Sequence, residues 1–217
     1  LYVFLIRPLI WGLLESRTIE DIKAEVKQAV DEGGYEINLI SQDTTKYGWD
    51  LYKKLALVDL LKELVSIEGN FKIRLLYLYP DIVTDEVIDF IKNNPKVMPY
   101  FDIPLQHSED KMLRLMKRRG MRDFLVELIA KIRKEIPEAI FRTTMIVGFP
   151  QETEEDVDSL IEFMKETKFD RLGAFTYSPE EGTLGATYDG QIPEDVKQER
   201  YNRVMEAQFY ISLEQNR

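Results

Sequence analysis

The sequence predicts an α/β protein built on parallel strands, arranged as a closed or partial barrel or as an open doubly wound sheet. Three observations point there. Short apolar runs alternate with amphipathic helical patterns, six times, at roughly 30 to 40 residues per unit, the length of a strand–helix crossover. The runs are nearly continuous in apolar character, as expected of strands buried on both faces. No low-complexity linker interrupts the series, so one domain over residues 1–217 is expected.

The expected strands are residues 2–6, 36–40, 72–78, 100–105, 141–147 and 172–177. Between them, Ile22, Val26 and Val30 recur at a spacing of four, and Leu57, Leu60, Leu61, Leu64 and Val65 mark one helical face. Leu125, Leu128, Ile129 and Ile132 mark a third helix, and Val157, Leu160, Ile161 and Met164 a fourth. Thr18 with Asp21, and Thr153 with Asp156, read as capping boxes with Asp in place of the usual Glu. Thr84 precedes Asp85 and Glu86, which favour the positive end of a helix. Gly33-Gly34 closes the first helix and Pro193 opens the last.

Composition narrows the chemistry. The chain has no cysteine and a single histidine, His107, which excludes disulfides, thiol catalysis, zinc–thiolate sites, Cys-bound iron–sulfur clusters and multi-histidine metal sites. The net charge of −10 suits a basic protein partner and disfavours strong nucleic-acid binding, although it also serves solubility alone. No apolar run approaches the ~18 residues of a membrane span, and residues 1–6 lack the basic leader and cleavage site of a signal peptide.

In either fold, ligands belong on the loops after the strand C-termini. After the second strand, Ser41-Gln42-Asp43-Thr44-Thr45-Lys46-Tyr47-Gly48 is a polar cluster in which Asp43 either receives a ligand's ammonium group or stabilises a turn. After the fourth strand, Gln106 is suited to a sugar hydroxyl. His107 stands without a nucleophile or second histidine in an obvious arrangement, and a structural role is expected. Gly148, ending the fifth strand, allows close approach of backbone to a ligand plane, or simply a tight turn. Arg142, inside that strand, either faces an acidic ligand or completes an internal ion pair. Phe175 and Tyr177 share a strand face by alternation, where they flank a flat base or join the core.

Taken in order, these segments resemble the radical SAM core of the RimO/MiaB methylthiotransferase family. The likeness runs from about Ser16 to the C-terminus. Its motifs are residues 41–48 followed by Asp50-Leu51-Tyr52, then Arg74-Leu75-Leu76-Tyr77-Leu78-Tyr79-Pro80 and Asp102-Ile103-Pro104-Leu105-Gln106-His107. Next come Arg142-Thr143-Thr144, residues 146–150 with 152–156, and Tyr177-Ser178-Pro179-Glu180-Glu181-Gly182-Thr183. The SQDTT and YSPEEGT forms favour the branch acting on a ribosomal protein over the MiaB branch acting on tRNA.

The resemblance implies a partial (β/α)6 TIM-like barrel. It implies S-adenosylmethionine (SAM) held on a 4Fe-4S cluster, and a deoxyadenosyl radical that takes hydrogen from the β-carbon of an aspartate on a basic small-subunit ribosomal protein in the cytoplasm. By matched motif, Gln42 and Asp43 fall near the methionine end of SAM, Gln106 at the ribose and Arg142 at the carboxylate. Gly148 and Phe149 fall at the adenine, with Phe175 and Tyr177 nearby. The family's N-terminal methylthiotransferase and C-terminal TRAM domains are not among these 217 residues.

Two departures stand out. The family follows its first strand with Cys-x-x-x-Cys-x-x-Cys, whose thiolates hold three of the four irons. Here Ile6-Arg7-Pro8 is contiguous, about a dozen residues are missing, and Trp11 stands where the family has Arg. Gln151 replaces the family's Gly. The expected consequence is a chain that cannot hold the cluster and is therefore inactive as an enzyme, leaving a cluster-free scaffold or a weak SAM or adenosine binder as the alternative.

Overall fold

A computed structural model describes residues 15–119 and 121–215. The expected strand at residues 2–6 and the contiguous Ile6-Arg7-Pro8 junction lie outside the described residues. The chain divides into two compact units, residues 15–103 with 131–139, and residues 104–130 with 140–215.

In the first unit, α1 spans Ile19–Asp31. Thr18 caps it by accepting from the Asp21 amide at 3.2 Å, but the reciprocal half of the expected capping box is missing. The Asp21 carboxylate is drawn instead to the Arg17 guanidinium at 2.6 Å, which holds its pKa below the usual carboxylate range. Gly33, at φ +94°, turns the chain out of the helix, and the Gly34 amide returns to the Ala29 carbonyl at 2.8 Å. Strands β1 (Glu36–Leu39) and β2 (Lys72–Leu75) pair in parallel with Glu36 opposite Lys72 and Leu39 opposite Leu75. Between them lie the short helix α2 (Trp49–Tyr52) and α3 (Leu57–Val65), which buries Leu57, Leu60, Leu61 and Leu64. Helix α4 (Asp85–Asn93), capped by Thr84 as expected, buries Val87, Ile88 and Ile91, and β3 follows at Tyr100–Asp102. Full burial of each such Leu or Ile side chain contributes about 1.5–3 kcal/mol.

The second unit opens with α5 (Asp110–Leu115). Helix α6 (Arg122–Glu135) has its last residues assigned to the first unit. Strands β4 (Ile140–Val147) and β5 (Arg171–Thr176) are parallel, with Arg142 opposite Arg171 and Val147 opposite Thr176. The segment before α5 extends this sheet. The Gln106 amide donates to the Thr144 carbonyl at 2.8 Å, and the Gln106 carbonyl accepts from the Ile146 amide at 2.7 Å. Helix α7 (Glu154–Thr167) carries the complete Thr153–Asp156 capping box and buries Val157, Leu160, Phe163 and Met164. The last helix, α8, spans Glu194–Gln215, directly after Pro193.

One expectation fails in both units. The strands are not buried on both faces. On β4, Phe141, Thr143, Met145 and Val147 are buried while Arg142, Thr144 and Ile146 are only half-buried. On β5, Leu172 and Ala174 are buried while Phe175 is 62% exposed. On β2, Ile73 and Leu75 are buried and Lys72 and Arg74 are not. β2, β4 and β5 each have one face in the core and one left open, and the open face holds Arg74, Arg142 and Thr144, which interrupt the apolar runs; β1 has no fully buried residue, with Asn38 exposed.

The unequal caps make a testable difference. The reciprocal bond is the difference between the caps: Asp156 accepts from the Thr153 amide at 2.8 Å, whereas Asp21, at the same position of α1, makes no such bond and pairs with exposed Arg17. Urea denaturation is expected to show a loss of about 1–1.5 kcal/mol for Asp156→Ala and well under half that loss for Asp21→Ala; equal losses would contradict the assignment.

Candidate functional site

The first unit's strand-end loop, residues 41–48, is closed upon itself. Its Asp43 is buried; one carboxylate oxygen accepts from the Thr45 hydroxyl, and the other lies 2.8 Å from Lys46 Nζ. The Ser41 hydroxyl accepts from the Asp43 amide at 3.1 Å. Thr44 ties the loop to the end of β2, donating its hydroxyl to the Leu76 carbonyl at 2.6 Å and its amide to the Tyr77 carbonyl at 3.1 Å. Asp43 thus does the turn-stabilising work that was one of its two expected roles, and Gln42 beside it is half-buried.

A clamp that sequence reasoning missed lies at the end of this loop. Ser16 donates its amide to one oxygen of Asp50 at 2.7 Å and its hydroxyl to the other at 2.5 Å, and its hydroxyl accepts from the Gly48 amide at 3.1 Å. The Tyr47 hydroxyl donates to the Arg17 carbonyl at 2.8 Å, and the Tyr52 hydroxyl accepts from the Ile19 amide at 3.0 Å. Partial burial pushes the Asp50 pKa up, but the two bonds from Ser16 outweigh it and hold the carboxyl below its usual range. The matched Asp50-Leu51-Tyr52 carried this signal in the sequence without showing its partner. Beside β1, a cavity of about 390 Å³ is lined in part by Ile22, Val26, Leu39, Thr44 and Tyr47.

In the second unit the strand-end turns meet at one carboxylate. Glu152 is 3% exposed, and its Oε1 accepts from the Gly148 amide at 2.8 Å and from Arg200 Nη1 at 2.9 Å. Its Oε2 lies 3.5 Å from His107 Nε2. His107 is fully buried, and its Nδ1 accepts from the Glu109 amide at 3.0 Å, so the neutral ring carries its proton on Nε2, facing Glu152. Sealed from solvent and held by the bond at Nδ1, His107 is placed as a structural residue, with its Nε2 near Glu152 but not hydrogen-bonded to it. Gln106, just before it, stands at φ +77°, and Gly148 at φ +73°. Left-handed backbone at a non-glycine residue is strained and collects at functional turns.

Phe149 is fully buried, its ring 4.7 Å from that of Tyr177 and 6.1 Å from that of Tyr188, among Met112 and Met116. Neither its ring nor its backbone is open to a ligand. Phe175 and Tyr177 do not share surroundings. β5 ends at Thr176, so strand alternation no longer governs Tyr177, which is buried while Phe175 is exposed. Burial pushes the Tyr177 hydroxyl pKa up. Arg142 lies half-buried on the open face of β4.

Gln151 is at φ +68°, which explains why a glycine suits the position and why the backbone geometry nevertheless survives its loss. The Gln151 amide donates to the Gly190 carbonyl at 3.0 Å, and its own carbonyl accepts from Lys111 Nζ at 2.7 Å, which fixes the turn from two sides.

Comparison with known proteins now places the chain. The model of the radical SAM superfamily matches residues 7–164, and the chain belongs to that superfamily. It is 52% identical over 209 residues to the ribosomal protein uS12 methylthiotransferase RimO of Dictyoglomus thermophilum, covering 96% of this chain and 48% of that protein. It is 50% identical to the protein of the same name from Carboxydothermus hydrogenoformans, covering 97% of this chain and 48% of that one. The chain spans about half the length of the curated relatives it matches. Among solved structures, Streptococcus suis SuiB bound to S-adenosylmethionine shares the fold at a TM-score of 0.60 and 16% identity, covering 93% of this chain and 42% of that one. The α/β radical SAM fold expected from the sequence is the fold found.

The family's two cofactors fit these residues unequally. A 4Fe-4S cluster needs three thiolates, and the chain has none. His107 is sealed, and no group of three or more metal-ligating side chains lies together among the described residues. The donors present do not fit the cluster. For SAM, the open face of β4 and β5 remains.

Opposite substitutions test the turn after β4. Gln151→Gly is expected to stabilise the protein by about 0.5–1 kcal/mol by relieving left-handed strain. Gly148→Ala is expected to cost at least 2 kcal/mol, since it adds about 1–2 kcal/mol of strain to an overlap of the new Cβ with the Lys197 side chain. Thermal or urea unfolding that ranked the two the other way would refute the geometry.

Proposed function

We propose that the chain is the SAM core of a ribosomal-protein methylthiotransferase of the uS12 type, and that as written it binds the nucleoside part of SAM without forming a radical. The observation that carries this reading is about 50% identity to relatives of that name over nearly the whole chain, combined with the lack of any cysteine. The motif match supports one core domain and assigns Gln42, Asp43, Gln106, Arg142, Gly148, Phe149, Phe175 and Tyr177 to the ligand. Within the second unit, the half-buried and exposed side chains on the open sheet face, Arg142 and Phe175, are offered as side-chain contacts. Gly148 and Phe149 are buried and hold the turn beside that face.

Our proposed protein partner is a basic small-subunit ribosomal protein, which the net charge of −10 suits through long-range attraction. The MiaB branch is disfavoured because an acidic surface repels a phosphate backbone. A cytoplasmic location accompanies this reading; among the described residues no helix is long and apolar enough to cross a membrane.

What this chain's residues do is bind and orient. The cluster, where a protein of the family has it, supplies the contact to the SAM amino and carboxylate groups and the electron that cleaves SAM. Without it the methionine end gains little. Titration calorimetry is expected to show weak, saturable binding of SAM, with affinity within about tenfold, or 1.4 kcal/mol, of that for 5′-deoxyadenosine. Binding of SAM several hundred-fold tighter than 5′-deoxyadenosine, or no binding of either, would overturn the proposal.

A further inference from the structure

The last helix contradicts the usual logic of helix burial. Residues on its inward stripe are Lys197, Arg200, Val204, Gln208 and Ile211, and three of these five are polar or charged. The sequence has no apolar face there to announce a packed helix. Burying Lys and Arg is costly unless their charges and donors are matched. Here the nitrogen donors on the stripe reach residues flanking β4 and β5, although Lys197 also bonds Glu194 and Gln208 also bonds Ser212 within the helix, and Gln208 Oε1 has no hydrogen-bond partner. The Lys197 ammonium donates to the Tyr177 carbonyl at 2.8 Å, just past β5, and its aliphatic chain lies over Gly148. Arg200 donates from Nη1 to the Glu152 carbonyl at 3.1 Å and to Glu152 Oε1 at 2.9 Å. It reaches Glu154 Oε1 from Nε at 2.9 Å and from Nη2 at 2.6 Å. Gln208 Nε2 donates to the Phe169 carbonyl at 2.9 Å, ahead of β5. The helix lies beyond residue 164, where the superfamily match ends.

We propose that Lys197 and Arg200 are positioning residues for the turn at residues 148–152, which carries Gly148 and Phe149 of the motif match. Arg200 neutralises Glu152, and Glu152 in turn fixes the Gly148 amide. Lys197 closes the other side of Gly148 and holds the Tyr177 carbonyl, which keeps the ends of β4 and β5 in register beyond their last ladder bonds. Neither side chain touches a ligand; both act through the backbone of Gly148 and Tyr177. The link from this turn to nucleoside binding rests on the SAM-core reading above, whereas the hold on the turn does not.

The test uses the whole chain and three variants. Lys197→Met keeps the chain over Gly148 and deletes the bond to Tyr177; Arg200→Lys keeps the charge and loses the fork; Glu152→Gln keeps the shape and removes the charge. Amide exchange at Gly148 and Tyr177 is expected to quicken at least about tenfold in Arg200→Lys and Lys197→Met respectively, while amides of β1 and β2 in the other unit stay unchanged. The Gly148 amide proton, bound to a carboxylate, is expected to resonate downfield and to move upfield in both Arg200→Lys and Glu152→Gln. A purely structural helix would leave that resonance in place while exchange quickened uniformly. Unchanged exchange at both amides, or uniform quickening throughout the chain, overturns the proposal. Affinity for 5′-deoxyadenosine separates the two layers. A drop of about fivefold or more in the variants joins the turn to the ligand. Absence of binding in the unaltered chain, with the local exchange effects intact, counts against the SAM-core reading alone.

Discussion

A single buried carboxylate organises the second unit of this protein. Glu152 is all but sealed, and three elements converge on it: the Gly148 turn after β4, Arg200 from the last helix and His107 from the loop before α5. A carboxylate taken out of water survives only when its lone pairs are filled and its charge is met. Removing one partner of such a pair costs about 3–5 kcal/mol, far more than the pair gains over a well-packed apolar core. The arrangement therefore specifies geometry more than it adds stability. It gives the Gly148 amide and the Arg200 guanidinium a common acceptor, and so accounts for the packing of a helix without an apolar stripe.

The same economy appears in the first unit with different parts. Asp50 receives both donors of Ser16, and the Tyr47 and Tyr52 hydroxyls pin residues 17–19. Together they fix the chain at residues 16–19, leading into α1. Parallel strands with one open face place exposed or half-buried Asn38, Arg74, Arg142 and Phe175 on sheet surfaces that in an ordinary buried α/β sheet would be aliphatic.

Much of this was legible in the sequence, and what was not has identifiable causes. Strand and helix positions followed from periodicity to within a few residues, because apolar side chains set both the period and the buried face. The one-sided burial was hidden because Ile146 and Phe175 are apolar yet sit on the open face, so the runs look continuous. The helix at Glu194–Gln215 was signalled only by Pro193 at its start, its inward positions being Lys, Arg and Gln. Among the site residues, the motif match singled out Gly148, but no linear pattern shows that Phe149 turns its ring into the core or that Glu152 faces His107. Those contacts join residues about 45 to 50 apart, which only the fold brings together.

Lineage and chemistry part company at the cluster. Near-50% identity to the uS12 methylthiotransferases runs through a chain that lacks every thiolate the shared chemistry needs. Among the described residues, no three metal-ligating side chains gather, and the turns, caps and buried ion pairs hold the fold. Anaerobic reconstitution with ferrous iron and sulfide, followed by iron analysis of the desalted protein, addresses this most directly. Well under one iron per chain is expected. About four irons per chain, the content of an intact cluster, would contradict it.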